Sequence, residues 1–193
     1  MLAAFETYIK ERARLSDEEV RLMESLAIQR TMRRKEFLFQ QGEVCRYKIF
    51  IVNGLLRAYS TRQDGSEHIL QFSPENTWTT DPESFYQSTP SVYSIDALEA
   101  SEVILWTRSD FDYLHKSIPG LKTFSDELIS QSNAIIRQRV LTTISLTAEE
   151  KYDEFVQKYP DIFARVPLHM VASYLGVTRE TLSRIRHAQV SNK

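Results

Sequence analysis

Apolar residues fall into three successive periodicities along the chain. Over positions 1–30 they recur at helical spacing, with Phe5, Tyr8 and Ile9 in one group and Val20, Leu22, Met23, Leu26 and Ala27 in the next. Ser16-Asp17-Glu18-Glu19 separates the groups and reads as a capping box, with Ser16 closing the helix start and Glu19 reaching back. Positions 31–110 change to short β-prone runs punctuated by turn signals: Lys35–Phe39, Tyr47–Val52, Leu55–Thr61, Glu67–Phe72, Ser91–Leu98 and Glu102–Trp106. Asn53-Gly54 and Asp64-Gly65 lie between such runs, and both pairs tolerate the positive φ of a tight hairpin. Many short strands at this spacing predict a roll, sandwich or barrel.

From Ser109 onward the helical period returns. Ser109-Asp110-Phe111-Asp112 marks one start, and Pro119 suits the first turn of a helix that then runs to about Ser145 without glycine or proline after Gly120. That helix carries two apolar stripes. One is Leu121, Phe124, Leu128 and Ile135; the other is Ile129, Ile136, Val140 and Ile144. Two faces need two burial partners: the chain's own β-domain, and the same helix of a second copy packed as a coiled coil. The first stripe is assigned to the homodimer interface. Thr147-Ala148-Glu149-Glu150 is a second capping box, ahead of Tyr152, Phe155, Val156 and Tyr159.

The last segment carries the chemistry. Val166–Leu175 puts Leu168, Val171, Ala172 and Leu175 on one face, and Gly176 supplies a positive-φ turn. Val177 is a plug, Thr178 a helix cap, and Leu182 and Ile185 point inward. Arg179, Glu180, Ser183, Arg184, Arg186 and His187 are left pointing outward. Arginine pairs bidentately with guanine and glutamate accepts from cytosine N4, so this face suits base edges. Net charge over the chain is −2, yet from Ile162 onward five basic residues (Arg165, Arg179, Arg184, Arg186, Lys193) face the single acid Glu180. A local basic excess on a near-neutral chain suits DNA phosphate.

Composition excludes several classes. At 42% hydrophobic and 26% charged residues the chain is globular rather than disordered. No apolar run reaches the roughly 18 residues of a membrane span, and the N-terminal stretch holds Glu6, Lys10, Glu11 and Arg12, unlike a secretory signal. Cys45 is the only cysteine, so neither an intrachain disulfide nor a cluster needing about four cysteines is available. His68, His115, His169 and His187 lack metal-ligand spacing. No nucleophile–base pair, paired-carboxylate motif or glycine-rich phosphate loop is present, so no enzyme and no cofactor is expected. A cytoplasmic, non-membrane protein fits these features.

The string Gly176-Val177-Thr178-Arg179-Glu180-Thr181-Leu182-Ser183-Arg184 resembles the start of the recognition helix in Crp/Fnr-family regulators. Phe39-Gln40-Gln41-Gly42-Glu43, Ile51-Val52-Asn53-Gly54 and Asp64-Gly65 resemble that family's roll turns. The resemblance implies an α+β chain: a cyclic-nucleotide-binding-like β-roll (double-stranded β-helix) with N-terminal helices over 1–117, a dimerisation helix over 118–145, and a helical helix-turn-helix domain over 146–193. It further implies a bacterial homodimer on double-stranded DNA, with Arg179, Glu180 and Arg184 reading bases, Thr178 near phosphate, and RNA polymerase as a candidate partner. Only about six residues follow His187, so the usual β-hairpin wing is not expected, as in the wingless Crp-like regulators of Bacteroidetes.

One departure concerns the effector. Nucleotide-binding members carry a Gly-Glu-Leu turn and, some ten residues on, an arginine that neutralises the cyclic phosphate. The corresponding stretches here are Thr80-Asp81-Pro82-Glu83-Ser84 and Pro90-Ser91-Val92-Tyr93, with no arginine between Arg62 and Arg108. Glu75, Asp81, Glu83, Asp96 and Glu99 would repel a phosphate there, so cAMP is disfavoured. The effector-pocket residues expected instead are Trp78, Asp81, Glu83, Ser84 and Tyr93, with Arg137 from the long helix. Phe72, Phe85 and Tyr86 add aromatic surface that either lines an apolar site or fills it. The alternative function is a small-molecule sensor or protein-interaction module without specific DNA binding.

Overall fold

The computed structural model describes residues 1–191, with side chains through Ala188; Lys193 of the basic C-terminal segment lies outside the described residues. Two short helices open the chain, α1 (Leu2–Ala13) and α2 (Asp17–Ser25). The expected capping box is formed: Ser16 Oγ accepts from the Glu19 amide, and the Glu19 carboxylate accepts from the Ser16 amide at 2.8 Å.

Among the described residues, eight strands follow: β1 (Ile28–Met32), β2 (Phe37–Phe39), β3 (Tyr47–Asn53), β4 (Leu55–Thr61), β5 (Glu67–Pro74), β6 (Thr77–Thr79), β7 (Ser94–Ala97) and β8 (Ser101–Thr107). They form two four-stranded sheets, β1-β8-β3-β6 and β2-β7-β4-β5, the β-roll of an α+β chain. β1, β6 and the short helix α3 (Pro82–Gln87) are not apparent from periodicity, because they are too short or too polar to show it. At the β3–β4 turn Gly54 has φ 98°, and a Cβ there would sit 2.8 Å from Ser101 Cα. Only glycine meets both demands.

Helices α4 (Arg108–Ser117), α5 (Pro119–Ser145), α6 (Ala148–Lys158), α7 (Pro160–Arg165), α8 (Leu168–Leu175) and α9 (Arg179–Ser191) complete the chain. The chain divides into two compact units, Met1–Ala58 with Phe72–Ser130, and Tyr59–Gln71 with Gln131 to the C-terminus. The tip of the β4–β5 hairpin thus groups with the C-terminal helices.

The core of the first unit is an aromatic knot. Phe5 of α1 meets Phe50 and Trp106 with ring centroids 5.2 Å away, and Trp78 lies 5.1 Å from Phe50 and 5.4 Å from Trp106. Phe111 of α4 closes it at 6.2 Å from Trp78. Such pairs add about 0.5–1.5 kcal/mol each beyond area burial. Trp106 Nε1 donates to the Met23 carbonyl at 2.9 Å, so the most buried indole also ties α2 to β8.

Lys48 lies on the helix-facing side of β3, with Nζ 5.9 Å from the Phe111 ring centroid. Burial lowers its amine from 10.5 to about 8. The folded state therefore holds the proton less tightly than the unfolded chain, and its penalty is relieved as pH rises from about 8 to 10.5. Lys48→Met is expected to raise stability at pH 7 and to abolish that rise, read as urea midpoints across the pH series; a wild-type midpoint flat over this window rejects the assignment.

Candidate functional site

Two regions carry candidate function: the helix-turn-helix of the second unit and the α3 turn of the first. In the second unit, Tyr152, Phe155, Ile162, Val166, Val171, Ala172, Leu175 and Leu182 are buried together in α6–α9. α8 ends at Gly176, which is left-handed (φ 69°) and whose amide returns to the Ser173 carbonyl. Thr178 Oγ1 accepts from the Thr181 amide at 3.1 Å, the cap expected for the second helix. Leu182 is fully buried and Ile185 half-buried. Arg179, Glu180, Arg184, Arg186 and His187 are exposed, and Ser183 sits half-exposed between them. The structure thus brings Thr178, Arg179, Glu180, Ser183, Arg184 and Arg186 onto one short helix start.

The unit also contains a feature that the sequence does not signal. Arg139 of α5 donates to the carbonyls of Ile69 (3.0 Å) and Tyr174 (2.9 Å) and to that of Leu70, while its guanidinium lies 4.1 Å from the Tyr174 ring centroid. Ser173 of α8 donates to the Glu67 carbonyl at 2.8 Å and accepts from the Ile69 amide at 3.0 Å. The hairpin tip is therefore stitched to α5 and α8 through main-chain groups that any residue could offer, which hides the contact from sequence patterns.

At the α3 turn the expected pocket residues satisfy one another. Asp81 is buried and caps α3, accepting from the Ser84 amide (3.2 Å) and the Ser91 hydroxyl (2.6 Å). Ser84 Oγ donates to the Thr89 carbonyl at 2.6 Å and accepts from the Cys45 amide at 2.8 Å. Tyr93 donates to the Thr80 carbonyl at 3.3 Å; burial, with Asp81 nearby, pushes its phenol well above the ordinary range. Phe85 is buried against Tyr86 rather than lining a void. Three expected residues do not join this group. Trp78 belongs to the aromatic knot, its indole nitrogen buried without a well-formed hydrogen bond although the Tyr8 hydroxyl interacts with it. Glu83 points to solvent from α3, and Arg137 is an exposed residue of the second unit.

Asp96 also differs from expectation. It is not a free acid: Arg57 meets it bidentately, Nε to Oδ1 at 2.8 Å and Nη2 to Oδ2 at 3.1 Å, with both side chains buried. Sequence separation of 39 residues concealed the pair.

The expected interface stripe requires correction. Leu121 and Phe124 are 1% and 4% exposed within the first unit's own core, and Leu128 packs against that core. Ile135 is exposed and borders a groove with α6 and α8. The other stripe, Ile129, Ile136, Val140 and Ile144, is more than half exposed throughout. No helix among the described residues is long and apolar enough to cross a membrane, and no group of three or more potential metal ligands occurs among them.

Comparison with known proteins agrees with this architecture. Residues 29–117 match the cyclic nucleotide-binding domain family. The chain is 26% identical over 162 residues to the transcriptional activatory protein AadR of Rhodopseudomonas palustris, covering 78% of this chain and 66% of that protein. The chain thus spans about two thirds of that relative's length. FixK2 from Bradyrhizobium japonicum superposes with TM-score 0.71 at 19% identity, covering 86% of this chain and 85% of that one. A protein assigned to the crp/fnr family of transcriptional regulators from Eubacterium rectale superposes with TM-score 0.73 at 16% identity, covering 96% and 88%. The fold defines a cyclic-nucleotide-binding-type β-roll followed by a helix-turn-helix. The chain shares the fold of these regulators, and its residues 29–117 match the cyclic nucleotide-binding domain family.

The Ser173 contact makes a local prediction. Ser173→Ala removes the acceptor of the Ile69 amide, so exchange of that amide should accelerate about tenfold, the scale of one net hydrogen bond. Unchanged protection at Ile69 in hydrogen-exchange NMR rules the contact out.

Proposed function

We propose that this protein is a sequence-specific DNA-binding transcription regulator that acts as a homodimer. The observation that carries this reading is the exposed start of α9, where Arg179, Glu180, Arg184 and Arg186 project from a helix seated on a closed core. A face with forked donors and one acceptor matches the major-groove code, and the capped helix start offers amides to phosphate. The relative AadR carries the name of a transcriptional activatory protein, which supports the same class. Arg179→Ala and Arg184→Ala should each cost about 1–3 kcal/mol of specific binding, measured by fluorescence anisotropy at fixed salt on a site selected from random duplexes. Retention of full affinity and specificity by both variants would favour a protein-interaction module instead.

The dimer reading rests on Ile129, Ile136, Val140 and Ile144, spaced seven, four and four residues apart on α5. An apolar stripe exposed over this length is covered most economically by its own copy, which presents two α9 helices to half-sites about one helical turn apart. Ile136→Glu should convert the dimer to monomer in sedimentation velocity; a dimer that survives moves the interface elsewhere.

A cyclic nucleotide is not the effector in this reading. Asp81, Ser84 and Ser91 spend their polar groups on each other, and the roll's buried arginine is committed to Asp96. A phosphate at the α3 turn would meet a buried carboxylate without a compensating cation.

A further inference from the structure

A void in the first unit lies beside the α3 turn. It has a volume of about 300 Å³ and is walled by Leu38 and Phe39 of β2, Val44 and Cys45 of the following loop, and Tyr47 and Ile49 of β3. That volume reaches the lower end of small-ligand sites, and an apolar wall with few polar groups is their usual lining. None of these residues belongs to α3 or to positions 90–93, but Cys45 bonds to Ser84 and Phe39 packs on Tyr93, so the void adjoins those stretches.

Two charged residues also line it, and their states differ. The Glu43 carboxylate accepts from the Gln40 amide at 2.8 Å, closing the turn that leads into the loop. Arg46 is exposed and has no hydrogen bond or ion pair among the described residues. The uncommitted charged group of this cavity, among the described residues, is thus a guanidinium, which prefers a planar carboxylate and binds it through parallel hydrogen bonds. The loop is held in place from behind: the Gly42 amide donates to the Ser91 carbonyl, the Ser91 amide to the Glu43 carbonyl, and the Cys45 amide to Ser84 Oγ, all at 2.8 Å. A ligand seated here would therefore press on the segment that joins the loop to α3.

We propose that this cavity binds a small monocarboxylic acid with an apolar or aromatic body, the body against Phe39, Val44 and Ile49 and the carboxylate on Arg46. Neither the void nor Arg46 depends on DNA binding, so failure of the regulator reading would leave this site standing. The test uses the full chain, isotope-labelled, titrated with benzoate, hexanoate and benzamide and followed by amide NMR. Benzoate or hexanoate should shift amides at 38–39 and 43–49. Benzamide should bind about tenfold more weakly, as should benzoate to Arg46→Gln, the value of one charge-assisted contact. Arg46 is exposed, so that variant should melt as wild type does. Val44→Trp, which fills the void, should abolish the shifts for both acids. The proposal is overturned if neither acid moves those amides, if the shifts map elsewhere, or if benzoate binds Arg46→Gln as tightly as wild type.

Discussion

Burial of the Trp106 indole is the constraint on which the first unit is built. Its ring is fully enclosed, which requires a wall on every side. Phe5 comes from α1 and Trp78 from β6, with Phe50 of β3 behind both and Phe111 of α4 behind Trp78. Its N–H must also find an acceptor inside that wall, and the Met23 carbonyl at the end of α2 supplies it. One side chain thus couples both N-terminal helices and α4 to the sheet β1-β8-β3-β6. The N-terminal helices are structural parts of the roll, not an appended segment.

The same demand for satisfied polar groups shaped the region where a nucleotide would be expected. Asp81 caps α3 and holds Ser91, Ser84 links the turn to the β2–β3 loop, and Asp96 is neutralised by Arg57. A buried ion pair of this kind contributes little net stability compared with an apolar pair, but losing one partner is costly. The polar interior of the roll therefore satisfies itself at this turn. Space lies beside that interior, between β2 and β3, where Arg46 has no ion pair among the described residues.

Helix α5 serves two ends. Its first turns sink Leu121 and Phe124 into the first unit, and its later turns leave Ile129, Ile136, Val140 and Ile144 exposed. Arg139 lies between the exposed positions and reaches the hairpin tip and α8 through three carbonyls. Helix α9 thus belongs to a unit whose parts include a piece of the β4–β5 hairpin, held by main-chain contacts.

The sequence by itself determined the elements whose information is local. Both capping boxes, the Asn53-Gly54 and Asp64-Gly65 turns, the extent of α5 and the Gly176 turn with its Thr178 cap follow from residues within a few positions of each other. The outward face of α9 was legible for the same reason, since helical period alone separates Leu182 from Arg179 and Arg184. Tertiary structure decided what depends on distant partners. Periodicity revealed two stripes on α5 but not which one the first unit would bury. Trp78 reads as a pocket aromatic until Phe5 and Trp106 enclose it. Asp96 reads as a free acid until Arg57, on a neighbouring strand, takes up its charge. In each case the missing fact was which residue, far along the chain, supplies the other half of a burial or a charge.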